Sequence, residues 1–222
     1  METKDSNHLL RLADKAIIAK GNRQFVYEHP DVPGTLLKVP QPDTMDANAN
    51  LLTDTWFDRI FRRSTAFKGF LREFHESFEL MARHQTDGVD LPVCEVRGAI
   101  LTDLGLALVY ERISDPDGQL SPSLHLLAST GRLTQQHVDD LERHFELLVT
   151  ENVIISNGNP GNVVYQTRPD GTGRWVWIDS FGCKQTIPVR RWSRRLNARK
   201  LERVRLKFLG IAHASLPQNN SN

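Results

Sequence analysis

Five short runs of apolar residues, each bounded by turn residues, dominate the first half of the chain. They occupy residues 16–20, 24–28, 35–39, 91–101 and 106–113. Apolar runs joined by tight turns such as Gly21-Asn22 and His29-Pro30-Asp31 are typical of antiparallel strands. The run 106–113 is apolar until Glu111, which indicates a central place in a sheet. The pattern therefore predicts a five-stranded antiparallel sheet.

The segment between the third and the fourth run has a different periodicity of apolar residues. Apolar residues there recur at spacings of three and four, at Phe67, Phe70, Leu71, Phe74, Phe78 and Met81. This spacing predicts a helix over about 64–83 with one wide apolar face. Glu73 and Glu76 lie among these residues. Glu73 stands at the edge of the stripe, where its carboxylate could reach into the lobe and pair with Lys38 on the third strand. The pattern alone favours a solvated helix glutamate, and Glu73 is preferred over Glu76 only on the hypothesis of a kinase-like fold.

The second half of the chain is mainly helical. The turn at 114–118, rich in Asp, Pro and Gly, marks a boundary. We therefore expect a first lobe over 1–113 and a reduced, mainly helical second lobe over 114–222. A short helix is expected near 123–129, and a longer one follows an N-cap at Thr134.

The stretch 155–182 carries the pattern with the clearest chemical meaning. A polar loop over 155–162 ends at Asn162, and an apolar strand, a turn rich in Gly and Pro and a second apolar strand lead to Asp179. Asn162 and Asp179 would then close the same end of a β-hairpin. Oxygen-bearing side chains in that arrangement hold the hard cations that carry nucleotide phosphates.

The same order of residues is found in protein kinases and their small-molecule relatives. There an Asn closes the catalytic loop, and the Asp of a D-F-G element holds the metal that bridges the phosphates. The second element here is Asp-x-Phe-Gly over 179–182, one residue longer than the usual triplet. The position of the usual general base, five residues before Asn162, is Asn157. An amide does not accept a proton as a carboxylate does, so the residues for phosphoryl transfer are only partly present.

Candidate phosphate-binding residues also occur in the first lobe. Lys38 is polar within an apolar strand, and both a surface-facing lysine and a phosphate-binding lysine fit that pattern. Its position ahead of a helix that carries Glu73 favours the second. Gly21 would let the backbone approach a phosphate, although an ordinary hairpin turn is the simpler interpretation, since a multi-glycine pattern is missing. Glu111 and Arg112 lie where a hinge strand would meet an adenine edge.

Composition limits the possible domain organisation, partners and location of the protein. The 222 residues, 39% hydrophobic and 25% charged, suffice for one domain of two lobes. The formal net charge of the whole chain, +1, does not indicate a nucleic-acid or membrane partner. The chain shows no basic start followed by an apolar run, no apolar run long enough to span a bilayer and no metal-ligand spacing of its two cysteines. The cytoplasm is therefore the expected location.

Positive charge is concentrated in a final helix expected over about 189–209. Its apolar face would carry Trp192, Leu196, Leu201, Val204 and Phe208. The basic residues around that face, from Arg190 to Lys207, are Arg190, Arg191, Arg194, Arg195, Arg199, Lys200, Arg203, Arg205 and Lys207. Two interpretations stay open: the helix binds an anionic polymer or surface, or its long side chains cover apolar surface and are simply solvated.

Taken together, these segments resemble the YrbL family of bacterial proteins of the PhoP regulatory network. The similarity rests on segments spread over nearly the whole chain, at 36–39, 71–74, 102–118, 159–164, 178–182 and in the basic C-terminal helix. The Asp-x-Asp-Gly turn and the Asn-Pro-x-Asn loop are the more specific motifs. The resemblance implies a compact, protein-kinase-like, two-lobe fold of the α+β class and a link to the response to low magnesium. It also implies a second lobe without room for the helices that bind peptide substrates.

Three functional hypotheses follow. In the first, the protein binds ATP and Mg²⁺ and transfers phosphate weakly or atypically to an unknown acceptor. In this hypothesis Lys38 holds phosphate and Glu73 orients Lys38. Asn162 and Asp179 hold magnesium. In the second hypothesis, the protein is a pseudokinase, a nucleotide-dependent switch for a regulatory partner. In the third, it binds nucleic acid or an anionic surface through the basic helix.

Overall fold

The computed structural model describes residues 9–21, 24–44, 67–85, 89–183 and 189–216. They fall into two units, one within Met1–Phe74 and Val96–Arg112 and the other within His75–Glu95 and Ile113–Asn222. Both helices and strands are present, so the chain has a mixed α+β structure. The lobe boundaries expected from the sequence stay a prediction.

An antiparallel sheet organises the first unit. Its strands are β1 (Ala19–Lys20), β2 (Gln24–Glu28), β3 (Thr35–Pro40), β4 (Val96–Thr102) and β5 (Gly105–Glu111). Their order in the sheet is β1-β2-β3-β5-β4. The predicted five-stranded antiparallel sheet is confirmed, and β5 lies inside it as its apolar sequence indicated. One face of the sheet packs a small core of Leu12, Tyr27, Leu37, Val39 and Ala107.

The prediction of a strand over 91–101 is wrong for its first residues, 91–95. Only the part from Val96 onward pairs with β5. Val93 instead forms a parallel bridge with Trp177, and the Pro92 carbonyl accepts the Trp177 N–H at 3.0 Å. The apolar run is therefore divided between two partners, Trp177 for its first part and β5 for the rest.

Helix α1 (Lys68–Arg83) agrees with the predicted helix, and residues 64–66 of that prediction lie outside the described part of the chain. Only Phe70 of the predicted apolar stripe belongs to the fully buried side of α1. Leu71 and Phe78 of that stripe are 65% and 58% exposed. The buried residues of α1 are Phe70, Glu73, Glu76, Ser77 and Leu80. Polar side chains therefore form much of the buried face of this helix.

The second unit combines helices with a β-hairpin. Its further helices are α2 (Leu124–Ser129), α3 (Gln135–Thr150), α4 (Val189–Trp192) and α5 (Arg194–Ala214), and the hairpin consists of β6 (Val163–Thr167) and β7 (Gly173–Trp177). The Thr134 hydroxyl accepts the His137 N–H and caps α3 as predicted. Within the described ranges, no helix combines the length and the apolar character that crossing a bilayer requires.

Aromatic side chains fill the core of the second unit. The ring of Trp177 stacks on Phe208, with centroids 5.6 Å apart and an angle of 10° between the planes. Phe145 meets both rings edge-on. His144 is buried beside Trp177, and burial lowers the pKa of this imidazole to about 3, so the core contains a neutral histidine.

The single helix expected over 189–209 is in fact two helices. Ser193 has an extended backbone, and its hydroxyl accepts the Leu196 N–H, so α5 begins there as a separate helix. Of the predicted apolar face, Leu201, Val204 and Phe208 are buried. Trp192 and Leu196 are exposed, so the predicted face is interrupted at its start.

Gly173, the first residue of β7, allows a test of the packing of the hairpin. A Cβ at this position would lie 2.3 Å from the Cζ and hydroxyl oxygen of Tyr165. That hydroxyl donates to the buried carboxylate of Asp140 at 2.6 Å, which holds the ring in place. We therefore expect Gly173→Ala to lower the free energy of unfolding by about 1–3 kcal/mol, as overpacked sites do.

Denaturant unfolding measures this difference, and Gly210→Ala is the control. Gly210 lies in α5, and a Cβ there would meet nothing within 4 Å. The control substitution should stabilise the protein by about 0.5–1 kcal/mol, because alanine is the better helix former. A Gly173→Ala protein as stable as wild type would contradict the packing described here.

Candidate functional site

Two buried side chains of opposite charge lie together in the first unit. Lys38 on β3 and Glu73 on α1 are 7% and 5% exposed, and Lys38 Nζ lies 3.8 Å from Glu73 Oε2. Tyr110 on β5 contacts both: its hydroxyl donates to Glu73 Oε2 at 2.6 Å, and its ring centroid lies 4.0 Å from Lys38 Nζ. Buried charges are tolerated when they are paired, so these three side chains fix one another in position.

The strand register explains why Lys38 reaches this place. Side chains alternate between the two faces of a strand, so Lys38 lies opposite the face on which Leu37 and Val39 join the apolar core. Lys38 also lies inside the sheet, between Val26 of β2 and Leu108 of β5. It is therefore not a surface lysine, which was the alternative that the sequence left open.

The other candidates of the first unit lie at turns and strand ends. Gly21 donates its N–H to the Gln24 carbonyl at 2.9 Å, and its own carbonyl accepts the Gln41 side-chain amide at 2.6 Å. Glu111 is the last residue of β5 and lies across from Thr35 of β3. Arg112 forms an ion pair with Glu28 at 3.3 Å. The contacts of Gly21 and Arg112 are thus with neighbouring turns and strands.

The hairpin of the second unit brings Asn162 and Asp179 to one end. Val163 of β6 lies across from Trp177 of β7, and the Ile178 N–H donates to the Asn162 carbonyl at 2.8 Å. The Asp179 carbonyl accepts the indole N–H of Trp177 at 2.8 Å. The two side chains are partly buried, one just before β6 and the other two residues after β7.

The oxygen atoms of Asn162 and Asp179 suit a hard cation. No group of three or more His, Cys, Asp or Glu within the described ranges is placed to hold a metal ion. A magnesium ion does not require such a group, because it is commonly held by one or two protein oxygens, with phosphates and water completing its shell. Asn162 and Asp179 are thus of the residue types that could hold a magnesium ion.

Asn157 lies on the loop that packs beside the Asp-x-Phe-Gly element. Ile155 bridges Phe181 in antiparallel fashion, and the Ser156 N–H donates to the Ser180 carbonyl at 2.9 Å. Ser180 has a φ of 59°, in the left-handed region that non-glycine residues seldom adopt. Asn157 follows this pairing, is exposed, and its side-chain amide makes no hydrogen bond to a described residue.

Two buried polar residues that the sequence analysis did not assign to the site hold the start of this loop. Glu76 of α1 accepts the Ile154 N–H at 2.9 Å. Asn197 of α5, which is 1% exposed, donates to the Val153 carbonyl at 2.9 Å. Asn197 lies one turn before Leu201, on the apolar side of the basic helix α5. A polar residue in that position was the signal by which Asn197 was recognisable, because buried amides need partners.

Basic side chains hold the rest of the loop. The Arg190 guanidinium donates to the Ile155 carbonyl, and the Lys207 ammonium donates to the Gly158 carbonyl, each at 3.0 Å. Gly158 also approaches α5 closely, since a Cβ on it would lie 3.0 Å from a methyl group of Val204. Part of the basic C-terminal region therefore supports the loop 155–162.

Comparison with known proteins identifies the family. The sequence profile described as PhoP regulatory network protein YrbL matches residues 10–210. The chain belongs to this family. The uncharacterized protein YrbL of Escherichia coli (strain K12) is 21% identical over 204 residues, which cover 90% of this chain and 87% of that relative. The protein of the same name from Shigella flexneri matches to the same extent.

The family match confirms the resemblance that the sequence segments indicated. The matched region includes β3 with Lys38, α1 with Glu73, the loop 155–162 and most of α5. The family description names a regulatory network and no reaction.

Glu76 gives the site a testable pH dependence. Burial raises the pKa of this carboxyl above its ordinary value of 4.5, against the opposing effects of the Ile154 N–H and of Arg191, which lies 3.5 Å away. The folded protein thus retains a proton that the unfolded chain releases. The stability that depends on this proton is present below pH 4.5 and is lost as the pH rises through the raised pKa.

Glu76→Gln removes this titration and keeps an oxygen for the Ile154 N–H. We expect the unfolding free energy of wild type minus that of the variant to fall as the pH is raised from about 4 to about 7. Urea unfolding at a series of pH values measures this difference. A difference that rises with pH would show that Arg191 outweighs burial.

Proposed function

We propose that the chain is a kinase-like protein that binds ATP with Mg²⁺ and transfers phosphate only weakly. The observation that carries the proposal is the buried ion pair of Lys38 and Glu73. A strand lysine held by a helix glutamate is the arrangement with which protein kinases bind nucleotide phosphates. In this proposal Lys38 binds phosphate, and Glu73 and Tyr110 orient its ammonium group.

Asn162 and Asp179 are the proposed magnesium ligands. Amide and carboxylate oxygens match the preference of Mg²⁺, which when bound would neutralise phosphate charge. The backbone at Glu111 and Arg112 is proposed to contact the adenine edge. The backbone at Gly21 is proposed to contact a phosphate. Since the family of the chain is described as PhoP regulatory network protein YrbL, we further propose that magnesium-dependent binding links the chain to a response to low magnesium.

Asn157 limits the chemistry that we propose. A general base typically contributes about 100-fold to 10,000-fold to a reaction rate, whereas positioning and charge neutralisation do not require it. Slow transfer to an acceptor therefore remains compatible with an amide at this position. The selective loss of the base, with Lys38, Glu73, Asn162 and Asp179 all present, favours a second candidate function. This is a pseudokinase whose nucleotide switches its interaction with a regulatory protein.

Thermal unfolding tests nucleotide binding. A ligand at about 100 times its dissociation constant adds about 2.7 kcal/mol to the free energy of unfolding. We expect ATP to raise the melting temperature of the wild type only with Mg²⁺ present, and the rise to be lost in Lys38→Met and in Asp179→Asn. Each variant is compared with its own nucleotide-free sample, so a change in intrinsic stability cancels.

Asp170→Asn is the matched control for Asp179→Asn. Asp170 lies in the turn at the opposite end of the same hairpin, between β6 and β7. It should retain the full nucleotide shift. The proposal fails if wild type shows no shift at millimolar nucleotide, or if Asp179→Asn and Asp170→Asn shift equally.

Restoring a carboxylate at residue 157 separates the two candidate functions. If the protein is a weak phosphotransferase, Asn157→Asp should raise the release of ADP from Mg-ATP by about 100-fold or more. Asn159→Asp is the control, because Asn159 is exposed in the same loop and its side chain already accepts the Gly161 N–H at 3.0 Å. Unchanged ADP release with intact nucleotide binding would favour the pseudokinase.

A further inference from the structure

The basic residues of the C-terminal region divide into two groups. The first group is engaged with the rest of the second unit. Arg190 and Lys207 donate to loop carbonyls, Arg191 pairs with Glu76, and Arg205 donates to both carboxylate oxygens of Glu202 at 2.8 Å. The second group consists of Arg194, Arg195, Arg199, Lys200 and Arg203, which make no hydrogen bond or ion pair with any described residue.

Three members of the second group form a single stripe on α5. Arg195, Arg199 and Arg203 follow one another at intervals of four residues, so they lie on one side of the helix in successive turns. All three are exposed. We call them the arginine stripe. Leu201, Val204 and Phe208, which α5 buries against the second unit, lie on the opposite side of the helix.

Aliphatic side chains lie beside the arginine stripe. Leu196 precedes Arg199 by three residues and Leu206 follows Arg203 by three, which places both leucines next to the stripe. They are 42% and 59% exposed, and Trp192, just ahead of α5, is 72% exposed. The outward side of α5 therefore combines cations that form no ion pair with a described residue and apolar side chains that are 42–72% exposed.

The acidic residue of α5 does not neutralise the stripe. Glu202 is held by Arg205, and this contact lowers the pKa of the Glu202 carboxyl. Among the residues that the structure describes, these three guanidinium groups in adjacent turns have no acidic partner. They therefore produce a local positive potential, although the whole chain carries a formal charge of only +1. The partner that fits this potential is an anionic one.

We propose that the arginine stripe, together with Leu196 and Leu206, is a docking surface for an anionic phospholipid bilayer. Arginines attract the phosphates of the headgroups, and the leucines gain by entering the boundary between headgroups and acyl chains. A nucleic acid would use the arginines in the same way but gives the leucines nothing apolar to enter, so the observed combination favours lipid. The proposal is independent of nucleotide binding, because the two surfaces share no residue.

Sedimentation of the full chain with vesicles tests the proposal. We expect binding to vesicles of equal parts phosphatidylcholine and phosphatidylglycerol and none to vesicles of phosphatidylcholine alone. Raising the salt concentration from about 0.05 M to about 0.3 M should release the protein, because screening weakens exposed charge pairs. The combined variant Arg195→Gln, Arg199→Gln and Arg203→Gln should lower the partition coefficient on the order of 100-fold.

The matched control removes the same charge elsewhere. Arg11→Gln, Lys15→Gln and Arg132→Gln together change three exposed cations outside the C-terminal region, and we expect less than about a tenfold loss of binding. The double variant Leu196→Gln and Leu206→Gln keeps every charge and should still weaken vesicle binding several-fold. Glutamine retains good helix propensity, and thermal unfolding of each variant verifies folding.

Four results would overturn the proposal. One is equal binding to neutral and anionic vesicles, and another is equal loss in the stripe variant and the control variant. The third is stripe-dependent retention of a single-stranded RNA without retention by anionic vesicles, which would identify the surface as a nucleic-acid site. An unchanged affinity of the double leucine variant for vesicles would likewise remove the argument for lipid.

Discussion

A carboxylate can be buried only where a donor or a cation meets it, and α1 buries two carboxylates one turn apart. In the first unit Glu73 is met by the ammonium of Lys38 and the hydroxyl of Tyr110. In the second unit Glu76 is met by the Ile154 N–H and by Arg191. A change in the register of α1 would leave these charges unpaired, and an unpaired buried charge costs about 3–5 kcal/mol. Polar contacts therefore contribute to the position of this helix, together with the burial of Phe70 and Leu80.

This constraint explains which elements were predictable from the sequence. The strands β2 and β3, the central place of β5 and the N-cap at Thr134 follow from local alternation and from turn or cap residues, which a sequence displays directly. The buried face of α1 does not follow in this way, because Lys38 and Ile154 are distant in sequence from Glu73 and Glu76. The strand expected over 91–101 failed for a similar reason, since the bridge from Val93 to Trp177 joins residues that are far apart in the chain.

The residues of the candidate site differ in how far the sequence alone could predict them. Spacing alone indicated that Asn162 and Asp179 close one end of a hairpin and that Asn157 occupies the position of the base. Whether Lys38 faces solvent was undecidable from an isolated lysine in a strand, and its burial beside Glu73 decides it. Asn197 was overlooked because charge dominates the sequence of α5 and hides one amide on its inner side. Nucleotide and magnesium binding stay predictions.

The two sides of α5 serve different parts of the protein, and this has a consequence for genetics. The inner side holds the loop 155–162 through Asn197, Lys207 and the close packing of Val204 on Gly158. A chain shortened before α5 would lose the residues that support this loop as well as the outward cations. Nonsense and frameshift alleles in this region should therefore have the same phenotype as mutations that disrupt the loop 155–162. Separation-of-function alleles of the C-terminal region should therefore be missense changes, confined to codons whose side chains point away from the second unit.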